Sequence, residues 1–229
     1  IAGIAGAPLY VVHTSSAEAM RAACRHRGAD ARAPVFIETC PHYLTHDETW
    51  EGGVTGKINP PLRAPADREA LWRGVLDGTV DTIATDHVHR PLAAKAGDIW
   101  TASPGCPGME TLLPILLSEG HARRGLSLER IAELTATNPA RIMGLGGRKG
   151  TITPGLDADF AVVDPGARWT VAREGVLSSA GYSIYEGWEL TGRVVHTLVR
   201  GRFALRDGEL RSDAAGTGRY LRRGKPGRP

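Results

Sequence analysis

Residues Val80–His87 read VDTIATDH, an apolar β-strand pattern that runs directly into three polar residues. Two earlier stretches have the same form: Leu9–His13 reads LYVVH, and Pro34–Glu38 reads PVFIE. Each stretch is short, rich in apolar and β-branched residues, and polar at its last position. Strands that are buried on both faces of a sheet have this pattern. The three stretches therefore predict three strands of one buried sheet.

Amphipathic helices are predicted between these strands. Ala17–His26 follows two serines that can cap a helix, and Gly28 is expected to close it. Pro65–Leu76 has apolar residues at helical spacing and is followed by a glycine. Strands that alternate with helices predict βαβ units around a parallel sheet. The fold class expected for this part of the chain is therefore α/β.

The second half of the chain has a different pattern of predicted secondary structure. Helices are predicted over Met109–Arg123, where Pro114 marks a kink or the first turn, and onward from Ser127 as an N-cap. After Gly150 the sequence becomes β-rich and is divided by Gly, Pro and Asp turns, with a hairpin expected at Gly201-Arg202. We predict a domain boundary near residue 150, which divides the chain into residues 1–150 and 151–229.

Composition excludes several classes of protein. The chain has 229 residues and a formal net charge of +3, which is too small to favour nucleic acid as a partner. No apolar run approaches the roughly 20 residues that span a bilayer, so no membrane segment is expected. The three cysteines have no CxxC spacing, which favours buried thiols in a reducing compartment, and the cytoplasm is the expected location.

Polar side chains at the strand ends are the candidate functional residues. The chemistry of parallel sheets lies at the carboxyl ends of the strands, where His13, Glu38 and Asp86 are expected to meet. Imidazole and carboxylate groups can bind a divalent metal, but a single His such as His13 is more often a structural residue, and Asp86 is as readily a helix or turn cap. His42 and His89 are predicted in exposed loops. The residues alone predict an α/β protein with candidate metal ligands.

The same stretches resemble the cyclic amidohydrolases, a family that includes dihydropyrimidinase, D-hydantoinase, allantoinase and dihydroorotase. The resemblance extends over essentially the whole chain. Five motifs carry it: YVVHTSS (10–16), ETCPHYL (38–44), KINPPLR (57–63), TDH (85–87) and KGTITPGLDAD (149–159).

The resemblance implies a fold and an activity. The chain would form the C-terminal part of a TIM-like (β/α)8 barrel, strands six to eight, followed by a small β-sandwich region. Its activity would be the metal-dependent hydrolysis of a C–N bond in a cyclic amide. A hydantoin or dihydropyrimidine is the first substrate choice, and allantoinase and dihydroorotase activities are the alternatives. A truncated or non-catalytic scaffold is the alternative from another class.

The resemblance also implies roles for individual residues. His13 matches a metal ligand, and Asp86 matches a metal ligand that is also the catalytic proton carrier. Asn59, Pro104 and Gly105 fall where the family contacts the substrate ring. Hydantoinases usually have Asn where Pro104 stands, so a backbone contact is expected there instead of a side-chain contact.

The implied cofactor is a pair of divalent metal ions, zinc first, of which this chain holds only part. The family's other ligands are a His-x-His pair, a carboxylated Lys and a further His, and none of them can be placed in the sequence. The implied partners are a small cyclic ureide or imide and either further copies of the chain or a partner chain that supplies the missing barrel half.

Overall fold

The computed structural model describes residues 1–27 and 33–225. Gly28, which is predicted to close a helix, lies outside the described residues. The chain divides into two compact units, Ile1–Ile115 with Thr170–Glu189, and Leu116–Trp169 with Leu190–Pro229. Among the described residues, no helix combines the length and apolar character needed to cross a bilayer.

The first unit is built on a parallel sheet. Its strands are β1 (Leu9–Val11), β2 (Val35–Thr39) and β3 (Thr82–Ile83), in the order β1-β2-β3. Both neighbouring pairs are parallel, which confirms the predicted α/β arrangement. All five residues of β2 are buried, as expected for the central strand of a covered sheet. The outer strands are shorter than predicted, because β1 ends at Val11 and β3 comprises only Thr82 and Ile83.

The helices of the first unit follow local sequence signals. Ala17–His26 and Pro65–Leu76 have the predicted bounds, and Ser16 caps the former by accepting a hydrogen bond from Ala19 N. The α-helices are α1 (Ala2–Ala5), α2 (Ala17–His26), α3 (Pro41–Thr45), α4 (Pro65–Leu76) and α5 (Leu112–Ile115). Short 3-10 helices span Gly53–Gly56, Leu92–Lys95 and Arg173–Gly175.

The core of the first unit lies where α2, α4 and β2 meet. Gly74 of α4 lies against Met20 of α2 so closely that a Cβ at this position would be 2.6 Å from the Met20 Sδ. Arg27 donates to Asp81 and to the carbonyl oxygen of Thr79 at 2.9 Å, and the Asp81 carboxylate accepts from Ile37 N at 2.7 Å. These polar contacts join the end of α2 to both β2 and the start of β3.

The second unit contains helical segments and an antiparallel sheet. The helix predicted over Met109–Arg123 begins at Leu112 and is π-helical from Leu116. The segments are a π-helix (Leu116–Ala122), α6 (Leu128–Ala132), a second π-helix (Glu133–Thr137) and α7 (Asn138–Ile142). The strands are β4 (Phe160–Thr170), β5 (Glu189–Val199), β6 (Arg202–Arg206) and β7 (Glu209–Leu210), in the order β4-β5-β6-β7.

The two hairpin turns and the single proline within the strands of this sheet follow known backbone preferences. The hairpin between β5 and β6 turns at Arg200-Gly201, one residue earlier than predicted, and both residues have positive φ. Asp207-Gly208 turns in the same way between β6 and β7, as two-residue type I′ turns require. Pro165 lies inside β4, which is tolerated because β4 is the edge strand.

Candidate active site

His13 and Asp86 follow the carboxyl ends of β1 and β3, on either side of β2. They are close enough to interact electrostatically. Burial raises the pKa of Asp86, and the nearby His13 opposes that shift. The structure therefore brings together the two residues for which the sequence predicts metal-binding and catalytic roles. The roles themselves stay predictions.

Both residues have a strained backbone. The φ angle is 38° at His13 and 46° at Asp86, a left-handed conformation that is rare for residues other than glycine. Among the described non-glycine residues, Arg200 and Asp207 also have positive φ, and both lie in tight hairpin turns. His13 and Asp86 lie in no such hairpin. Strain of this kind concentrates at functional sites, where it aims a side chain in a direction that relaxed backbone would not allow.

A network of hydrogen bonds centred on Glu38 connects the three strands next to His13. Glu38 accepts a hydrogen bond from the Tyr10 hydroxyl at 2.6 Å and a longer one from His13 N at 3.3 Å. The Tyr10 hydroxyl also lies 2.7 Å from the Thr82 Oγ1, so one network connects all three strands. The Glu38 carbonyl oxygen accepts from Thr14 N at 2.8 Å. Glu38, noted in the sequence only as a polar strand end, therefore supports the backbone that carries His13.

Replacing Glu38 with alanine is expected to lower the free energy of unfolding by about 1–3 kcal/mol, because Tyr10 and His13 N lose a buried acceptor. Glu38→Gln keeps an acceptor oxygen and should cost less than half as much. Urea unfolding of the two variants and the parent measures the difference. Equal losses in the two variants would contradict the network as a source of stability.

The structure corrects the predicted exposure of His42. Its side chain is only 2% exposed, because Pro41 begins the short helix α3 immediately after β2 and turns the apolar PHYL segment inward. Burial lowers the pKa of His42 to about 3, with smaller effects of His46 and His13, so its imidazole is neutral. His89, the other histidine that is predicted in a loop, is exposed as expected.

One buried thiol, that of Cys106, lies beside His42, and a second, that of Cys40, precedes it by two residues. The Cys106 Sγ lies 4.0 Å from the His42 Nδ1, and burial raises the pKa of Cys106 to about 12. Burial also raises the pKa of Cys40, and the Asp86 charge adds to that shift. Both thiols are protonated at neutral pH. These cysteines are packing groups beside the site, as the sequence predicts for buried cysteines.

The predicted substrate-contacting residues lie on two loops that meet. Asn59 and Pro104 are exposed, whereas Gly105 is buried. Gly105 N donates to the carbonyl oxygen of Lys57 at 2.9 Å, which connects the loop of Asn59 to that of Pro104 and Gly105. Gly105 has φ 98°, and a Cβ there would lie 2.5 Å from a methyl group of Val88, so only glycine fits.

His87 anchors the chain that follows Gly105. Its Nδ1 accepts hydrogen bonds from Gly108 N and Met109 N, both at 3.2 Å, and its backbone forms a parallel bridge with Cys106. With Nδ1 used in this way, His87 has a structural role next to Asp86. The sequence assigned no role to Tyr10 or Lys95 beyond their place in family-like stretches, because a single Tyr or Lys gives no signal of its buried hydrogen-bond partner.

The described residues form no complete metal site. In the part of the chain that the structure describes, no cluster of three or more His, Cys, Asp or Glu side chains is arranged to hold a metal ion. Two polar atoms beside His13, the Thr14 Oγ1 and the His42 Nε2, are buried without a hydrogen-bond partner among the described residues. Buried polar atoms usually have partners, so these two are exceptions among the described residues.

Comparison with known proteins identifies the family. The profile of the amidohydrolase family matches residues 36–204. A D-phenylhydantoinase from Escherichia coli O1:K1 / APEC is 38% identical over 235 residues, which cover 97% of this chain and 50% of that protein. The chain spans about half the length of the curated relatives it matches.

Solved structures agree with the sequence relatives. The crystal structure of dihydropyrimidinase from Brevibacillus agri NCHU1002 superposes with a TM-score of 0.87 at 33% identity, covering 99% of this chain and 50% of that one. A D-hydantoinase from Bacillus sp. AR9 gives a TM-score of 0.88 at 33% identity, with 99% and 51% covered. The resemblance predicted from the motifs is confirmed, and this chain belongs to the amidohydrolase family.

Proposed function

We propose that this chain forms part of a hydrolase that opens the ring of a cyclic amide. The observation that carries the proposal is the convergence of His13 and Asp86, both with left-handed backbone, at the carboxyl ends of parallel strands. The hydantoinase and dihydropyrimidinase names of the relatives make a hydantoin or dihydropyrimidine the first substrate class. Allantoinase and dihydroorotase chemistry are second choices.

The donor set fits one part of a divalent-metal site. The His13 imidazole and the Asp86 carboxylate are ligands that zinc accepts, but two donors do not complete a coordination shell. The unpartnered Thr14 Oγ1 and His42 Nε2 are consistent with more polar groups at this edge. When bound, a pair of zinc-like ions would polarise the ring carbonyl and make water a stronger nucleophile at neutral pH.

Asp86 is the proposed proton carrier. A water oxygen forms a bond to the ring carbonyl carbon while Asp86 takes the proton from that water. The ring C–N bond then breaks, and Asp86 returns the proton to the departing nitrogen. No proton is gained or lost overall, and the product is a linear acid with a free amide or ureide group. Asn59 and the backbone at Pro104 and Gly105 would orient the ring for this attack.

The remaining ligands are proposed to come from outside the described residues. We assign β1, β2 and β3 to strands six to eight of a TIM-like barrel, whose other strands would be supplied by a partner chain or by a longer form of the protein. We retain a boundary near residue 150, with a β-sandwich region beyond it, and homo-oligomerisation as further proposals. Three free cysteines support a reducing compartment, the cytoplasm.

Metal content and ring opening should be measured together on the intact protein from its native source. We expect about two zinc-like ions per active site and hydrolysis of hydantoin or dihydrouracil that a chelator abolishes and added zinc restores. Intact mass will identify any longer form or copurifying partner. A metal-free protein of this length, without a partner and without ring opening, would support the scaffold alternative instead.

A further inference from the structure

Lys95 is a buried cation near the candidate active site. Its side chain is 1% exposed and lies at the end of the 3-10 helix Leu92–Lys95. Burial of an ammonium group is costly unless it has partners, and burial lowers the pKa of Lys95. Its Nζ donates to the carbonyl oxygen of Lys57 at 2.9 Å. A buried lysine directed at one backbone carbonyl requires an explanation beyond packing.

The Lys57 carbonyl oxygen is a junction between two loops. It accepts both the Lys95 Nζ and Gly105 N, each at 2.9 Å. Lys57 lies two residues before Asn59 on one loop, and Gly105 follows Pro104 on the other. The Lys95 bond is charge-assisted, which makes it stronger than an ordinary backbone hydrogen bond.

The segment between Lys95 and Gly105 is itself tightly folded. Ser103 N donates to the carbonyl oxygen of Ala94 at 2.8 Å, which closes the segment into a loop. At its tip, Asp98 accepts from Trp100 N at 3.0 Å and from Thr101 N at 2.9 Å. The loop is therefore held by its own hydrogen bonds. Its attachment to the neighbouring loop passes through Lys57, whose carbonyl oxygen accepts the two bonds above and whose Nζ donates to the carbonyl oxygen of Trp100 at 3.1 Å.

We propose that Lys95 is a positioning residue that fixes the two loops carrying Asn59 and Gly105 against each other through the Lys57 carbonyl. The consequence for substrate binding rests on the proposed function, in which these loops hold the ring. Lys95 does not touch the substrate in this proposal. Lys95 sets the distance between the groups that contact the substrate.

Amide hydrogen exchange tests this positioning without reference to activity. In the intact protein, Lys95→Met keeps an unbranched chain only one heavy atom shorter but removes the ammonium, and we expect Gly105 N to exchange at least about 10-fold faster. Arg90→Met is the control, because it removes an exposed cation five residues before Lys95, and it should change the exchange by less than about threefold. Unchanged protection of Gly105 in Lys95→Met would overturn the proposal.

Lys95→Arg provides a second variant that keeps a charged donor. Its Gly105 exchange is expected within about threefold of the parent, and this comparison decides the proposal if Lys95→Met does not fold. A Lys95→Arg variant whose Gly105 N exchanges at least about 10-fold faster than in the parent would overturn the donor as the cause.

Steady-state kinetics test the substrate consequence. Looser loops should raise KM for the cyclic amide by about 10-fold while kcat stays within about threefold. A purely structural role would instead reduce the active fraction, which lowers kcat and leaves KM unchanged, and that result would overturn the positioning role. If the parent protein opens no ring, the proposed function fails, and hydrogen exchange still decides whether Lys95 joins the loops.

Discussion

Asp86→Asn is expected to lower the ring-opening rate by about 10³-fold, with the fold retained. Asparagine has nearly the same shape as aspartate, but it cannot carry the proton between water and the departing ring nitrogen. It is also a poorer ligand for a divalent metal. Initial rates on hydantoin or dihydrouracil, measured at equal concentrations of folded protein, give the effect.

Asp81→Asn is the matched control, because Asp81 lies five residues earlier on the same stretch and has structural partners. Its carboxylate accepts from Ile37 N and pairs with Arg27. The control should lower the free energy of unfolding by about 1–3 kcal/mol and leave the rate per folded molecule unchanged. If Asp86→Asn keeps more than about a tenth of the parent rate, Asp86 is not the general acid and base.

Trp72→Ala is expected to lower the free energy of unfolding by about 4 kcal/mol, among the largest effects of a single substitution in the first unit. The Trp72 side chain is 1% exposed. Its Nε1 donates to the carbonyl oxygen of Leu44 at 2.6 Å, which joins α4 to α3. Truncation removes the ring from the core and leaves a buried carbonyl oxygen without that donor. Denaturant unfolding monitored by circular dichroism measures the loss.

Two variants separate packing from hydrogen bonding at this position. Trp72→Phe keeps much of the apolar ring but removes the donor, and should cost about 1–3 kcal/mol. Trp100→Ala removes the same residue type where it is 87% exposed, and should change stability by less than about 0.5 kcal/mol. A Trp72→Ala variant as stable as Trp100→Ala would contradict the assigned core.

Local sequence signals were sufficient to predict much of the fold. The bounds of α2 and α4 agree with the prediction because caps and helical spacing are properties of neighbouring residues. The parallel pairing of β1, β2 and β3 was predicted from their alternation with helices. Motifs distributed over the chain were sufficient for the family, which the relatives confirm.

Other features depend on residues that are distant in sequence. The burial of His42 was predicted wrongly, because nothing in CPHYL itself shows that the segment turns inward after β2. The π-helical segment Leu116–Ala122 was not predicted either, since apolar spacing does not distinguish it from an α-helix. The shift of the β5–β6 turn to Arg200-Gly201 depends on strand register, which a short local pattern leaves open by one residue.

By itself, the sequence determined the alternation of β1, α2, β2, α4 and β3, the family, and the chemical types available at the strand ends. These are encoded in contiguous residues and in motif order. Only the tertiary structure decided that Glu38 supports His13 through a hydrogen bond to its backbone, that His13 and Asp86 share a left-handed conformation, and that Lys95 and Gly105 meet on one carbonyl oxygen. The physical reason is that the hydrogen bonds depend on a close approach between segments that are tens of residues apart, and the left-handed angles occur at residues for which the local sequence favours other conformations.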